Sequence, residues 1–160
     1  MTFDRNSFSK ELTSIIADEL KKSAESFKDE CIRALAIDCY PWNRSLELCF
    51  LTAAEDSTEK LYGKWSMGDW KYYSFTKKDD TPWPAAQKLR KELGDYYEEM
   101  STEDRGEEAT DIIIRGCARA LLREEIKDAL KIYTLTKDFE VYVNDPDDPE
   151  EKNYCDYYKL

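Results

Sequence analysis

The hydrophobic pattern of this chain centres on Ile32 to Ala53, two apolar runs joined by Pro41-Trp42-Asn43-Arg44. In the first, Ile32 to Tyr40, apolar residues occupy both parities through the middle, as in a strand covered on both faces. In the second, Leu46, Leu48 and Phe50 share one side while Ser45, Glu47 and Cys49 take the other, the alternation of a strand with one apolar face. A four-residue connection containing Pro and Asn suits a hairpin. Two strands alone are marginal in water, so the pair requires a third strand and covering helices. The third is expected at Phe139 to Val143, which alternates strictly and is closed by Asn144-Asp145-Pro146.

Helical spacing supplies the cover. Phe8, Leu12, Ile15, Ile16, Leu20, Ala24 and Phe27 form one stripe of a helix capped at Asn6 or Ser7 and running to about Asp29, expected to lie across the hairpin. Thr52 to Ser57 reads as a turn, and Ser57 or Thr58 caps a short helix through Leu61. After the loop Lys77 to Pro84, a helix over about 85–100 presents Leu89, Leu93, Tyr96, Tyr97 and Met100. Ser101 and Asp104 favour the start of a further helix, whose inner face carries Ile113, Cys117, Ala120 and Leu121. Its periodicity fails near Arg123 to Lys127, which predicts a break there. The fold expected is α+β, one domain over 1–160: a small, mostly antiparallel sheet, the hairpin 32–53 plus strand 139–143, packed with about four helices. Residues 144–160 make an acidic, Tyr-rich C-terminal arm.

Composition narrows the classes of function. Aromatic residues reach 13%, too many for a disordered chain. Lys plus Arg number 24 against 35 Asp plus Glu, a formal charge of -11 that repels phosphate backbones and anionic lipid and attracts a basic partner. Neither a nucleic-acid partner nor a membrane partner is expected. No stretch approaches the ~20 apolar residues of a membrane span, and the N-terminus does not read as a signal peptide, so the expected location is cytoplasmic. Five cysteines without a C-x-x-C pair read as free thiols.

Histidine is absent, which removes Ser-His-Asp and Cys-His catalysis and His-ligated metals. There is no Gly-rich phosphate loop and no G-x-S-x-G elbow, and prolines interrupt the acidic run where a calcium loop needs ligands. No catalytic residue, metal or cofactor is therefore assigned, and the protein is expected not to be an enzyme. Two binding candidates remain. Trp42 stands in the hairpin connection and could anchor an interface; its plainer role is to fold back on the hairpin or on Arg44. Asp145, Asp147, Asp148, Glu150 and Glu151, followed by Tyr154 and Tyr157, could occupy the groove of a basic protein; their plainer role is a solvated arm. The alternative is a carboxylate-based hydrolase or small-ligand binder that uses the aromatic segment Tyr62 to Phe75, with Trp65, Trp70 and Tyr72 as contacts. The plainer role of that segment is a core layer over the sheet. Self-association into a homo-oligomer is left open.

The order of features, with Ser57-Thr58-Glu59-Lys60-Leu61 and the Gly68-Asp69-Trp70-Lys71-Tyr72 motif after the hairpin, resembles an uncharacterised bacterial domain family grouped with the SUKH-type immunity proteins of polymorphic toxin systems. The resemblance covers about Phe8 to Val143, with Asp69 and Tyr72 flanking Trp70 as the family pattern has them. It implies a cytosolic α+β protein that neutralises a toxin by direct binding and has no catalytic residues. The acidic, Tyr-rich tail is not part of that pattern.

Overall fold

The computed structural model describes residues 2–56, 66–150 and 152–158. It is a small α+β fold, with three strands among the described residues, β1 (Cys31–Tyr40), β2 (Ser45–Thr52) and β3 (Thr134–Val143), and five α-helices. The helices are α1 (Arg5–Ser23), α2 (Ala53–Asp56), α3 (Gln87–Ser101), α4 (Gly106–Leu121) and α5 (Glu124–Leu130). Strand order is β2-β1-β3, which makes β1 the central strand and explains why its apolar residues occupy both parities. β1 and β2 form the antiparallel hairpin, with Tyr40 opposite Ser45 at its mouth. β3 runs parallel to β1, reached by the crossover through α3, α4 and α5.

Both faces of the sheet are covered, unequally. One face carries Ile32, Leu35, Ile37, Cys39, Leu46, Leu48 and Phe50 into a large core shared with the buried stripes of α1, α3, α4 and α5. The other packs Ala34, Ala36, Cys49, Leu51 and Tyr142 under Met67 and Trp70. Alternation in β2 therefore separates two buried layers, and the side expected to be polar is covered as well. The segment after Trp70 pairs along the outer edge of β2: Phe50 N–H donates to Tyr72 O (3.2 Å) and Phe75 N–H to Leu48 O (3.2 Å). Phe75 then stacks on Phe50 at 4.5 Å, and Tyr72 meets Phe27 edge-on at 4.8 Å. Of the described aromatics of this segment, Trp70, Tyr72 and Phe75 thus pack onto the core, while Tyr73 stays exposed.

Several element boundaries differ from the sequence reading for local reasons. Asp4, not Asn6 or Ser7, caps α1, its Oδ1 accepting from the N–H groups of both those residues at 2.9 and 3.1 Å. The helix ends at Ser23 and tightens into a 3-10 turn through Phe27, short of Asp29. Its nearest neighbours are α4 and α5, and only its stripe reaches the layer above the hairpin. Where a turn was expected after Thr52, Glu55 Oε2 accepts from Thr52 N–H (3.1 Å) and Oγ1 (2.8 Å) and closes α2. The short helix expected from Ser57 or Thr58 to Leu61 lies outside the described residues. Neither Ser101 nor Asp104 caps α4, which starts at Gly106 after Arg105. The break near Arg123 is present, separating α4 from α5.

β3 begins five residues before the alternating run. Its register against β1 passes from Ile32 opposite Leu135 to Ala34 opposite Glu140, so Thr136 to Phe139 bulge against Arg33 alone. Arg33, 5% exposed, fills that irregularity and reaches Asp138 (3.2 Å) and Glu140 (3.9 Å).

Candidate functional site

The site grows out of the hairpin register. The connection Pro41–Arg44 leaves Tyr40 opposite Ser45, and counting two residues back along each strand sets Asp38 directly opposite Glu47. Their parity matches Ala36 and Cys49, so both carboxylates point to the thinner layer, where they are 5% and 6% exposed. Like charges directly across an antiparallel pair repel, and burial strengthens the repulsion. Two hydroxyls from the adjoining turn answer them. Tyr73 hydrogen-bonds Asp38, and Ser74 Oγ donates to Glu47 Oε2 at 2.5 Å. Ser74 takes a left-handed φ of 52°, which turns the chain between Tyr72 and Phe75, both of which face the larger core. Among the described residues no Lys or Arg forms an ion pair with either carboxylate. Burial, a hydrogen bond from Tyr73 that acts the other way, and the charge of Glu47 together push Asp38 up to about 6 from an ordinary 3.8.

Asp38 opens into a cleft of about 270 Å³ bounded by Tyr40, Ser66, Gly68, Asn144 and Pro146. Asn144 follows β3 directly, so the acidic run starts at the rim of this cleft. Asp145 is raised by partial burial and by the charges of Asp147 and Asp148, despite a hydrogen bond from the Asp147 backbone. Tyr40 is raised by partial burial and then by the charges of Asp38 and Asp147, so the field of the run extends into the cleft. From the described part of the aromatic segment, Tyr73 and Ser74 contribute hydroxyls here.

The remaining sequence candidates lie elsewhere or play other parts. Trp42 is half-buried, edge-on to Tyr40 at 5.6 Å and 6.1 Å from Tyr97 of α3; it folds back on the hairpin. Asp145 and Asp148 each give one oxygen to a backbone N–H two residues on, Asp147 is exposed, and Glu150 pairs with Lys152 at 2.8 Å. Tyr154 and Tyr157 sit in a 3-10 turn (Tyr154–Tyr158) docked on α4, with Arg115 5.5 and 5.0 Å from their rings and Cys155 buried between them. The end of the tail is thus docked on α4 through Arg115, while Tyr154 still feels the charge of Asp145. Trp70 is 3% exposed within the thinner layer, and Tyr72 donates to Glu30 at 2.6 Å. Trp65 and Glu151 lie outside the described residues.

Alternation in the sequence places Glu47 on the polar side of β2 but does not by itself pair it with Asp38. The signal was present: two acids equidistant from the hairpin connection fall opposite each other in any register it allows. Cys39 and Cys117 touch across the larger core, and that contact together with burial pushes the Cys39 thiol well up, so it packs as an inert side chain. Among the described residues no cluster of His, Cys, Asp and Glu is arranged to hold a metal ion, and no helix is long and apolar enough to cross a membrane. Comparison of the chain with protein-family models, with curated proteins and with solved structures finds no match.

Proposed function

We propose that the protein is a non-catalytic binding domain that recognises a basic protein by taking one cationic side chain into the Asp38 cleft, in the manner of an immunity protein neutralising a toxin. The observation that carries this reading is the buried Asp38–Glu47 pair, which has hydroxyl partners but no described counter-ion. A guanidinium entering beside Tyr40 would find a carboxylate at the floor and Asn144 at the rim, with the exposed Asp147 and Glu150 outside to draw it in. The net charge of -11 supports long-range attraction of such a partner.

The test is the affinity for the product of the neighbouring gene, measured against salt and in two variants. Asp38→Asn is expected to weaken binding at least roughly tenfold, as expected for loss of a desolvated charge pair. The double reversal Asp147→Lys/Asp148→Lys is expected to slow association and flatten its salt dependence. Binding indifferent to salt and to both variants removes the reading.

A carboxylate-based hydrolase is the second reading, favoured by one specific observation: Asp38 is held near 6 beside a second carboxylate, the arrangement that separates an acid from its partner. Against it, Glu47 does not line the cleft and is held by Ser74, so only Asp38 could meet a substrate.

A further inference from the structure

A second concavity, sharing no residue with the Asp38 cleft, runs along α1 where the α4–α5 corner meets it. It measures about 440 Å³, within the range of small-molecule sites. Lys10 and Lys21 mark its two ends, eleven residues and so about 16 Å apart on one face of the helix. Thr13 and Ala17, both buried, form the floor between them. Arg123 enters from the link between the helices.

None of the cations of this groove is held in a close ion pair among the described residues, although the charge of Lys21 reaches Asp128 at longer range. Among the described residues Lys10, Lys21 and Arg123 make no side-chain ion pair, although the chain carries 35 acidic side chains and Asp18 and Glu125 stand on the walls of the same groove. Arg123 Nε is buried and has no hydrogen-bond acceptor. A buried donor without an acceptor costs its full desolvation, and such groups in folded proteins are ordinarily satisfied. Its natural complement is an anionic oxygen arriving from outside. The groove also offers acceptors, the carboxylates of Asp18 and Glu125 and the exposed Ser14 hydroxyl, which suit hydroxyl groups of the same molecule.

We propose that this groove binds the phosphate ester of a small polyhydroxy compound, the phosphate against Arg123 and one terminal lysine, the hydroxyls against Asp18 and Ser14. A dianion can meet Arg123 and one of the unpaired lysines at once, which the single charge of a carboxylate does not match. The proposal does not depend on the role of the Asp38 cleft.

The experiment is an NMR titration of the full chain, at low salt, with glucose 6-phosphate, inorganic phosphate and gluconate as separate probes. Glucose 6-phosphate is expected to give saturable shifts centred on Thr13, Ser14, Ala17 and Arg123. Lys10→Gln/Lys21→Gln, which changes exposed side chains only, is expected to weaken that binding roughly tenfold, and Arg123→Gln at least as much. Asp18→Asn is expected to weaken the sugar phosphate while leaving inorganic phosphate unchanged. Shifts that fail to saturate, that persist in both cation variants, or that gluconate reproduces with equal strength overturn the proposal.

Discussion

Asp38 shows what one cross-strand position can cost. Its protonated form is favoured in the fold, so its contribution to stability is complete below the ordinary 3.8 and is lost as pH rises through about 6. At 1.36 kcal/mol per unit the loss amounts to roughly 3 kcal/mol at neutral pH. Asp38→Asn keeps an acceptor for Tyr73, adds a donor toward Glu47 and removes the charge. It is therefore expected to raise the melting temperature by about 5–10 °C at pH 7.5 and to leave it unchanged near pH 3.5. A variant less stable than the parent at neutral pH would show that the carboxylate is compensated in the free protein, and the case for an incoming cation would fall with it. The residue types were legible in the chain; the burial that gives them meaning was not, because it depends on Met67 and Trp70 closing over a face that alternation alone marks as polar.

Among the elements, the hairpin and α3 are tied chiefly around Arg44. Arg44, at a left-handed φ of 53°, bonds Asp95 at 2.6 Å, Glu98 at 2.8 Å and Lys91 O at 3.2 Å, while Arg90 returns a bond to Arg44 O at 2.9 Å. The Arg44 stem lies so close to α3 that a Cβ at Gly94 would stand 2.2 Å from its Cγ. Gly94→Ala is thus expected to lower stability by about 1–3 kcal/mol in urea unfolding, the scale of overpacking. Arg44→Ala in the same chain should remove most of that loss, and strict additivity of the two changes would refute the clash. The stripe of α3 was readable from Leu89, Leu93 and Met100. The role of Gly94 was not, because nothing in the helical period says that an arginine from the hairpin connection crosses there.

At the level of the whole molecule the fold class is legible in the chain and the connections are not. The hairpin, the long helices and the third strand follow from period and turn chemistry, whereas α2 stands where a turn was expected; the parallel direction of β3 follows from a crossover through three helices, and the docking of Tyr154–Tyr158 on α4 from distant partners, Arg115 and Arg119, that no local pattern names. The acidic surplus, 35 against 24, belongs to this scale as well. Self-repulsion of such a chain outweighs its exposed ion pairs, each of which is worth little. Raising salt from low ionic strength to about 0.5 M is therefore expected to raise the melting temperature by a few degrees; a fall would mean that pairs such as Arg105–Glu108 dominate instead.

The Thr136–Phe139 bulge has a consequence for crowded solutions. Further along β3, Asn153 lends its side chain to the outer rim, accepting from Val143 N–H at 3.3 Å and donating to Val141 O at 3.0 Å, as a neighbouring strand would. With the rim of β2 paired at Phe50 and Leu48 by Tyr72 and Phe75, the described residues of both flanks interrupt the straight run of open amides on which another molecule could template fibre growth. Copies brought together at high concentration also carry a net charge of -11 each, a like-charge repulsion that opposes close approach.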